Sequence, residues 1–317
     1  MSVVPLPARR AAGRRPAARR TGGRHVAPYA FAAPFVVLFL VFLVAPIVLA
    51  LWQSMFRQRA AGGLGFGGTR QREFAGLGNY VTALTDTGFT SGFARVLLYG
   101  AVQVPVMLVL ALVLALLFDS AAVRFGRFFQ AAVFVPYAVP GVIAALLWGF
   151  LYQPGVSPIV GGLTSLGVDV DLLAPGTVLW SLANIALWSN TGINVVILYA
   201  ALQSVPAEVG EAARVDGASE VRVALSIKLP MILPALLLTT LSSIIGTLQL
   251  FSEPNVLRTI TSNITSDYTP NMAIYTTSTE AQDPHLAAAM AVLLGVSTLV
   301  LSLVVLRISN RRNGALA

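Results

Sequence analysis

Six stretches of this 317-residue chain, at about 29–52, 93–118, 128–152, 176–202, 231–250 and 286–306, are apolar over lengths that suit a membrane. Crossing about 30 Å of hydrocarbon takes roughly 20 mainly apolar residues in a helix, because only a backbone that satisfies its own hydrogen bonds tolerates lipid. The stretches restrict the chain to an all-α, polytopic membrane protein with about six transmembrane helices. A soluble fold is excluded by composition: 56% of residues are hydrophobic and 11% charged, which leaves too little polar surface to cover a water-facing shell. Prolines at positions 34, 46, 105, 136 and 140 fall inside these stretches, and each marks an expected kink.

Residues 1–28 carry Arg9, Arg10, Arg14, Arg15, Arg19, Arg20 and Arg24 among Ala, Gly and Pro. Such a mix has too little apolar surface to fold and predicts a disordered tail. It could in principle bind nucleic acid or anionic lipid, or signal export. Six later spans argue instead for a cytoplasmic tail that fixes orientation and for no nucleic-acid partner. With the tail inside, most of the 21 lysines and arginines fall on the cytoplasmic side, ending in a second short tail at 307–317. Arg57, Arg59, Arg70 and Arg72 run against that trend. Both termini are therefore expected in the cytoplasm, with outer segments at about 53–92, 153–175 and 251–285 that read as loops from their Gly, Pro, Ser, Thr and Asn content.

Whole classes of chemistry drop out by residue type. Without cysteine there is no disulfide, zinc–thiolate site, iron–sulfur cluster or thiol nucleophile. The two histidines, His25 and His285, stand far apart in sequence, and both are expected at the surface. The spans hold no Asp, Glu, Lys, Arg or His near their centres, so a proton-driven carrier has no visible relay. No nucleophile–base cluster or metal-ligand set supports a membrane enzyme.

The connection Gln203–Pro230 (QSVPAEVGEAARVDGASEVRVALSIKLP) is the longest predicted cytoplasmic segment. Ser204 and Pro206 start a helix, Gly217 stops it in the left-handed region, Ser219 offers a second N-cap, and Pro230 marks the break before the fifth span. Within it, Glu211-Ala212-Ala213, Gly217 and Ile227-x-Leu229-Pro230 resemble the EAA loop of permease subunits in binding-protein-dependent ABC importers. Phe74-Ala75-Gly76-Leu77-Gly78-Asn79-Tyr80 is similar to the GL-NY segment of sugar permeases, and Val135-Pro136-Tyr137-Ala138-Val139-Pro140 to their third-span proline pattern. The stretch Ala200–Pro234 is similar to the carbohydrate-uptake branch, and the C-terminus resembles its first permease type. One departure is that the T-GGP segment usual after the fifth span is replaced by Leu257–Ile264 followed by Tyr268-Thr269-Pro270-Asn271.

The resemblance implies a fold, a set of partners and a role. Glu211, Ala212, Ala213, Asp216, Gly217, Ile227, Leu229 and Pro230 would form the coupling element that seats in a cytoplasmic ATPase. The partners implied are a second homologous permease, two ATP-binding subunits that hold ATP and magnesium, and an extracytoplasmic solute-binding protein, all at a bacterial cell membrane. This chain has no G-x-x-x-x-G-K-[ST] loop, so it would bind no cofactor and hydrolyse nothing itself. A sugar is the implied cargo; another solute such as a glycerol phosphate, or a carrier acting alone, stays open as the alternative.

Polar residues inside the spans mark where a solute could pass. Thr239, Ser243, Gly246, Gln249 and Glu253 recur at helical spacing on the fifth span. On the fourth span Ser181, Asn184, Trp188 and Thr191 share one face, and Asn190 and Asn194 a neighbouring stripe. Amides and hydroxyls can exchange hydrogen bonds with sugar hydroxyls, and tryptophan can stack on a pyranose face. The same residues could equally be interhelical glue. Ala287, Ala291 and Gly295 form a ridge of small residues expected to pack against another helix.

Overall fold

The computed structural model describes residues 27–61, 69–120 and 126–313. The arginine-rich tail through Val26, His25 with it, and Arg124 lie outside the described residues. The chain divides into two units, Met1–Leu49 and Ala50–Ala317. The first contains α1 (Ala27–Phe39), a π turn (Leu40–Val44) and the start of α2 (Ala45–Ser54), with almost every described side chain exposed. Pro34 sits inside α1 without ending it. The π turn lies just before Pro46, the kind of local rewinding that re-satisfies backbone groups freed by a proline.

The second unit opens with an antiparallel hairpin, β1 (Phe56–Ala61) and β2 (Thr69–Phe74), with Phe56 paired to Phe74. It continues through α3 (Gly78–Thr85), α4 (Thr87–Asp119), α5 (Gly126–Phe134), a 3-10 turn (Val135–Ala138), α6 (Gly141–Tyr152), α7 (Pro158–Ser165) and α8 (Val178–Gln203). Next come α9 (Ala207–Val215), α10 (Glu220–Val223) with a π turn (Ala224–Lys228) leading into α11 (Leu229–Met231), α12 (Leu233–Leu248), α13 (Ser252–Leu257), α14 (Pro270–Thr279) and α15 (Pro284–Asn313). Among the described residues, five helices are long and apolar enough to cross a membrane: Tyr29–Ser54, Thr87–Asp119, Val178–Gln203, Leu233–Leu257 and Pro284–Ser309. A sixth crossing results if Phe128–Ala138 and Gly141–Tyr152 count as one.

The kink expected within residues 128–152 is present, Pro136 and Pro140 bracketing a 97° bend between two half-helices, whereas α4 runs unbroken through Pro105. Three expectations need correction. The outer segments are not loops, because they contain the hairpin, α3, α7, α13 and α14. Their Ser and Thr residues are caps rather than loop markers: Ser157 Oγ accepts from the amides of Ile159 and Val160, and Thr269 Oγ1 from that of Met272. The stretch after 306 is helical through Asn313. His285 is buried rather than at the surface, and its Nδ1 lies 3.0 Å from the Gln53 carbonyl, which makes that nitrogen the donor.

The Gly76–Tyr80 segment has a structural explanation. Asn79 Nδ2 donates to the carbonyls of Ser54 (2.8 Å) and Phe56 (2.5 Å), and the Tyr80 hydroxyl lies 2.6 Å from Ser54 Oγ. Carbonyls at a helix C-terminus have no intrahelical donor, so Asn79 supplies one where α2 gives way to the hairpin.

Two apolar clusters hold α8 at the centre of the second unit. One joins Leu182 and Ile185 to Tyr152 of α6 and to Leu257, Ile264 and Met272. The other sets Ala111 and Ala115 of α4 with Val195, Leu198 and Leu202 of α8. Small residues four apart let two helices approach closely, which is how lipid-embedded helices gain packing without a hydrophobic drive. Of the small-residue ridge on α15, Ala287 is buried as expected, while Ala291 and Gly295 instead line an open groove with Ile245, Gln249 and Tyr275.

Candidate functional site

A cavity of about 580 Å³ lies among α4, the bend before α6, α8, α12 and α13. α4 contributes Tyr99, Gln103 and Met107, the bend Tyr137, α8 Asn190 and Asn194, α12 Ser243 and Gly246, and the segment after it Gln249 and Glu253. The polar wall is cross-linked. Asn194 Nδ2 donates to the Asn190 carbonyl (2.9 Å) and touches Met107 Sδ (3.7 Å), and Thr247 Oγ1 donates to Gln103 Oε1 over 3.4 Å.

Glu253 is the sole carboxylate among the described residues lining the cavity, and none of them is Lys, Arg or His. Its placement follows from the proline bend. Pro140 in extended conformation starts α6 at Gly141, whose missing side chain leaves room: a Cβ there would sit 3.0 Å from Glu253 Oε1. The carboxylate thus rests against the first turn of α6, where unpaired amides and the helix dipole favour negative charge.

Of the expected pathway residues, the structure brings Asn194, Ser243, Gly246, Gln249 and Glu253 to this cavity. It does not bring Asn184, Trp188, Thr191 or Thr239 there. Asn184 Nδ2 donates to the Tyr152 hydroxyl (2.9 Å), which donates to the Ser181 carbonyl (3.0 Å), so this face of α8 binds α6. Trp188 meets Trp148 at a steep angle, centroids 6.0 Å apart, and does not line the cavity. Thr191 and Thr239 return their hydroxyls to the carbonyls of Leu187 and Leu236 on their own helices. Glu253 is not on the α12 helix either, since the chain breaks after Leu248 and resumes helical structure at Ser252. Sequence reasoning misses Tyr99, Gln103 and Tyr137; a lone amide inside the apolar run of α4 is the available signal.

The segment between α8 and α12 folds as helix, turn, helix. α9 ends in a Schellman motif: the amide of Ala218 donates to the Ala213 carbonyl (2.9 Å) and that of Gly217 to the Arg214 carbonyl (3.0 Å), with Asp216 as C-cap. The reversal puts Gly217 at φ +82°, with open space for at least 4 Å around the place a Cβ would take. Ser219 Oγ then caps α10 by accepting from the Arg222 amide. Arg214 Nε donates to Glu220 Oε1 over 2.6 Å across the turn, which holds the Glu220 carboxyl below its ordinary range and raises the guanidinium. Glu211 and Ala212 are exposed and Ala213 half-buried, while Ile227 and Leu229 turn partly inward. Val215 and Val221 are left 87% and 66% exposed, an apolar surface on the turn that nothing among the described residues covers. Pro230 lies within α11, and the break before α12 falls two residues later, at Ile232.

Residues 107–313 match the family described as binding-protein-dependent transport system inner membrane component. The arabinooligosaccharides transport system permease protein AraP of Bacillus subtilis (strain 168) is 30% identical over 94% of this chain and 95% of its own. The sn-glycerol-3-phosphate transport system permease protein UgpA of Escherichia coli O6:K15:H31 is 32% identical over 65% of this chain and 68% of its own. In fold, the chain is similar to the crystal structure of a bacterial ABC transporter involved in import of the acidic polysaccharide alginate, with a TM-score of 0.75 and 22% identity over 91% of this chain and 96% of that one.

Proposed function

The chain belongs to the family of binding-protein-dependent transport system inner membrane components, a multi-pass membrane subunit, and from that premise we propose that it forms half of the path by which an ATP-driven importer takes up an uncharged sugar or oligosaccharide. The other half is a second homologous permease. Two ATP-binding subunits, which hold ATP and magnesium, sit against the α9–α10 turn on the cytoplasmic side, and a solute-binding protein delivers cargo from outside. Both termini lie in the cytoplasm. The exposed apolar turn at Val215 and Val221 supports the docking role, and the absence of a phosphate-binding loop from the sequence supports hydrolysis elsewhere.

The cargo class rests on one observation, the carboxylate of Glu253 in a cavity without a cation among its described lining residues. The two relatives' names point to different solutes, a neutral oligosaccharide and a phosphate monoester. An anion about 4 Å from Glu253 would be repelled by about 4 kcal/mol at an effective dielectric of 20. A sugar hydroxyl at the same place donates to the carboxylate, and Gln103, Asn190 and Asn194 offer both donors and acceptors to the rest of a ring.

ATP-driven closure of the partner subunits displaces the turn, and α8 and α12, which continue directly from it, reorient about the cavity in an alternating-access cycle. The cargo reading is tested by adding arabinooligosaccharide or sn-glycerol 3-phosphate to the purified permease–ATPase assembly without its binding protein and measuring bound solute. The oligosaccharide is expected to bind and the phosphate ester not; the reverse order overturns the reading.

A further inference from the structure

Both oxygens of the Asp119 carboxylate are taken, by partners from two other elements. Asp119 closes α4, and its side chain is only 9% exposed. Lys228 Nζ donates to Oδ2, and Gln203 Nε2, at the end of α8, donates to Oδ1 over 2.8 Å. An acid is poorly placed at this end of a helix, where the backbone dipole is negative, so the carboxylate depends on those donors.

Lys228 is the only lysine in a chain that otherwise uses arginine. It ends the π turn Ala224–Lys228. A π turn admits an extra residue and changes the phase at which later side chains leave the helix. Val223, just before it, stays buried beside Gly210 of α9, while Lys228, its last residue, is delivered to α4. The turn is joined to α8 and α12 by the backbone itself; α4 is joined to it through this polar contact and its apolar surroundings. From Asp119 to Met107 on the cavity wall is a stretch of unbroken helix about 18 Å long.

We propose that Asp119, Lys228 and Gln203 form a clasp that carries displacement of the α9–α10 turn to α4, and so to the cavity wall. Asp119 and Lys228 are positioning residues. The clasp rests on the coupling role proposed above for that turn, and it adds a route to a helix that the backbone does not connect.

The test uses the complete importer in proteoliposomes, with solute uptake and ATP hydrolysis measured on the same preparation. D119N and K228M are expected to lower the uptake per ATP by about tenfold or more, because each leaves a half-clasp with an unpaired group. Hydrolysis continues, and the swapped pair D119K/K228D recovers part of the ratio. A parent ratio in D119N with normal assembly overturns the clasp. Should the variants fail to assemble, amine labelling of the unaltered importer decides: a clasp that moves as one body keeps Lys228 protected both at rest and in the nucleotide-trapped state, and faster labelling in the trapped state overturns the proposal. Cross-linking through V215C separates this result from the underlying one. Absence of cross-linking to the ATPase in a working importer removes the coupling role of the turn, whereas intact cross-linking with a parent ratio in D119N removes the clasp alone.

Discussion

Gly217 allows backbone strain to be separated from steric contact. Its φ of +82° lies in the left-handed region, yet a Cβ would meet nothing within 4 Å. A substitution there is penalised by conformation and not by crowding. For an ordinary L-residue the left-handed region costs about 1–2 kcal/mol, with asparagine well tolerated and β-branched residues the least. A cost of that size shifts the population of the capped turn by a factor of about 5–30. Uptake by the reconstituted importer should therefore rank Gly217, then G217N, then G217A, then G217V, with the valine variant inserted in the membrane but nearly inactive. Limited trypsin digestion at Arg214 and Arg222 reports the state of the turn independently, and cleavage should quicken in the same order. Asparagine and valine are similar in size. Equal losses for these two would mean that a contact with a partner, and not the backbone, constrains the position, and parent activity in G217V would remove the turn from the mechanism.

Three further outcomes follow from named contacts. G192A would drive a Cβ into the Val133 carbonyl oxygen and place it 3.0 Å from Phe134 Cα, both backbone atoms at the end of α5, so overpacking of about 1–3 kcal/mol or more should lower the thermal unfolding midpoint of the purified protein. E253Q removes the charge facing the cavity and should narrow the discrimination between neutral sugar and sn-glycerol 3-phosphate by up to about a thousandfold; unchanged selectivity in the binding assay would show that Glu253 does not set it. N79A leaves the carbonyls of Ser54 and Phe56 without their amide donor, at about 1–3 kcal/mol, and should reduce stability in detergent while sparing uptake per folded importer.

The spans can be read from the sequence because lipid demands long apolar runs, and the α9–α10 turn because its caps are local: Ser219 and Gly217 act within a few residues of themselves. The cavity wall on α8 cannot. That helix is buried on several sides, by α6 at Tyr152 and by α4 at Ala111 and Ala115, so hydropathy does not mark which polar stripe faces open space. Asn190 and Asn194 face it, and Asn184 and Trp188 do not. Glu253 reaches the cavity by a break after Leu248 that helical spacing does not anticipate. The outer segments mislead because the same Ser, Thr and Asp residues that populate loops also start helices; Asp86 accepts from the Phe89 amide and Asp283 from that of Leu286. Burial of His285 depends on a carbonyl 232 positions away, beyond the reach of any local pattern.

That distant carbonyl bears on how the protein is built. Gln53 and Ser54 leave the ribosome early, but the groups that secure them emerge in two instalments, Asn79 and Tyr80 soon afterwards and His285 only once most of the polypeptide has been made. During synthesis the exit of α2 is held on one side and open on the other. The α15 helix arrives last and closes the open side through the His285 ring.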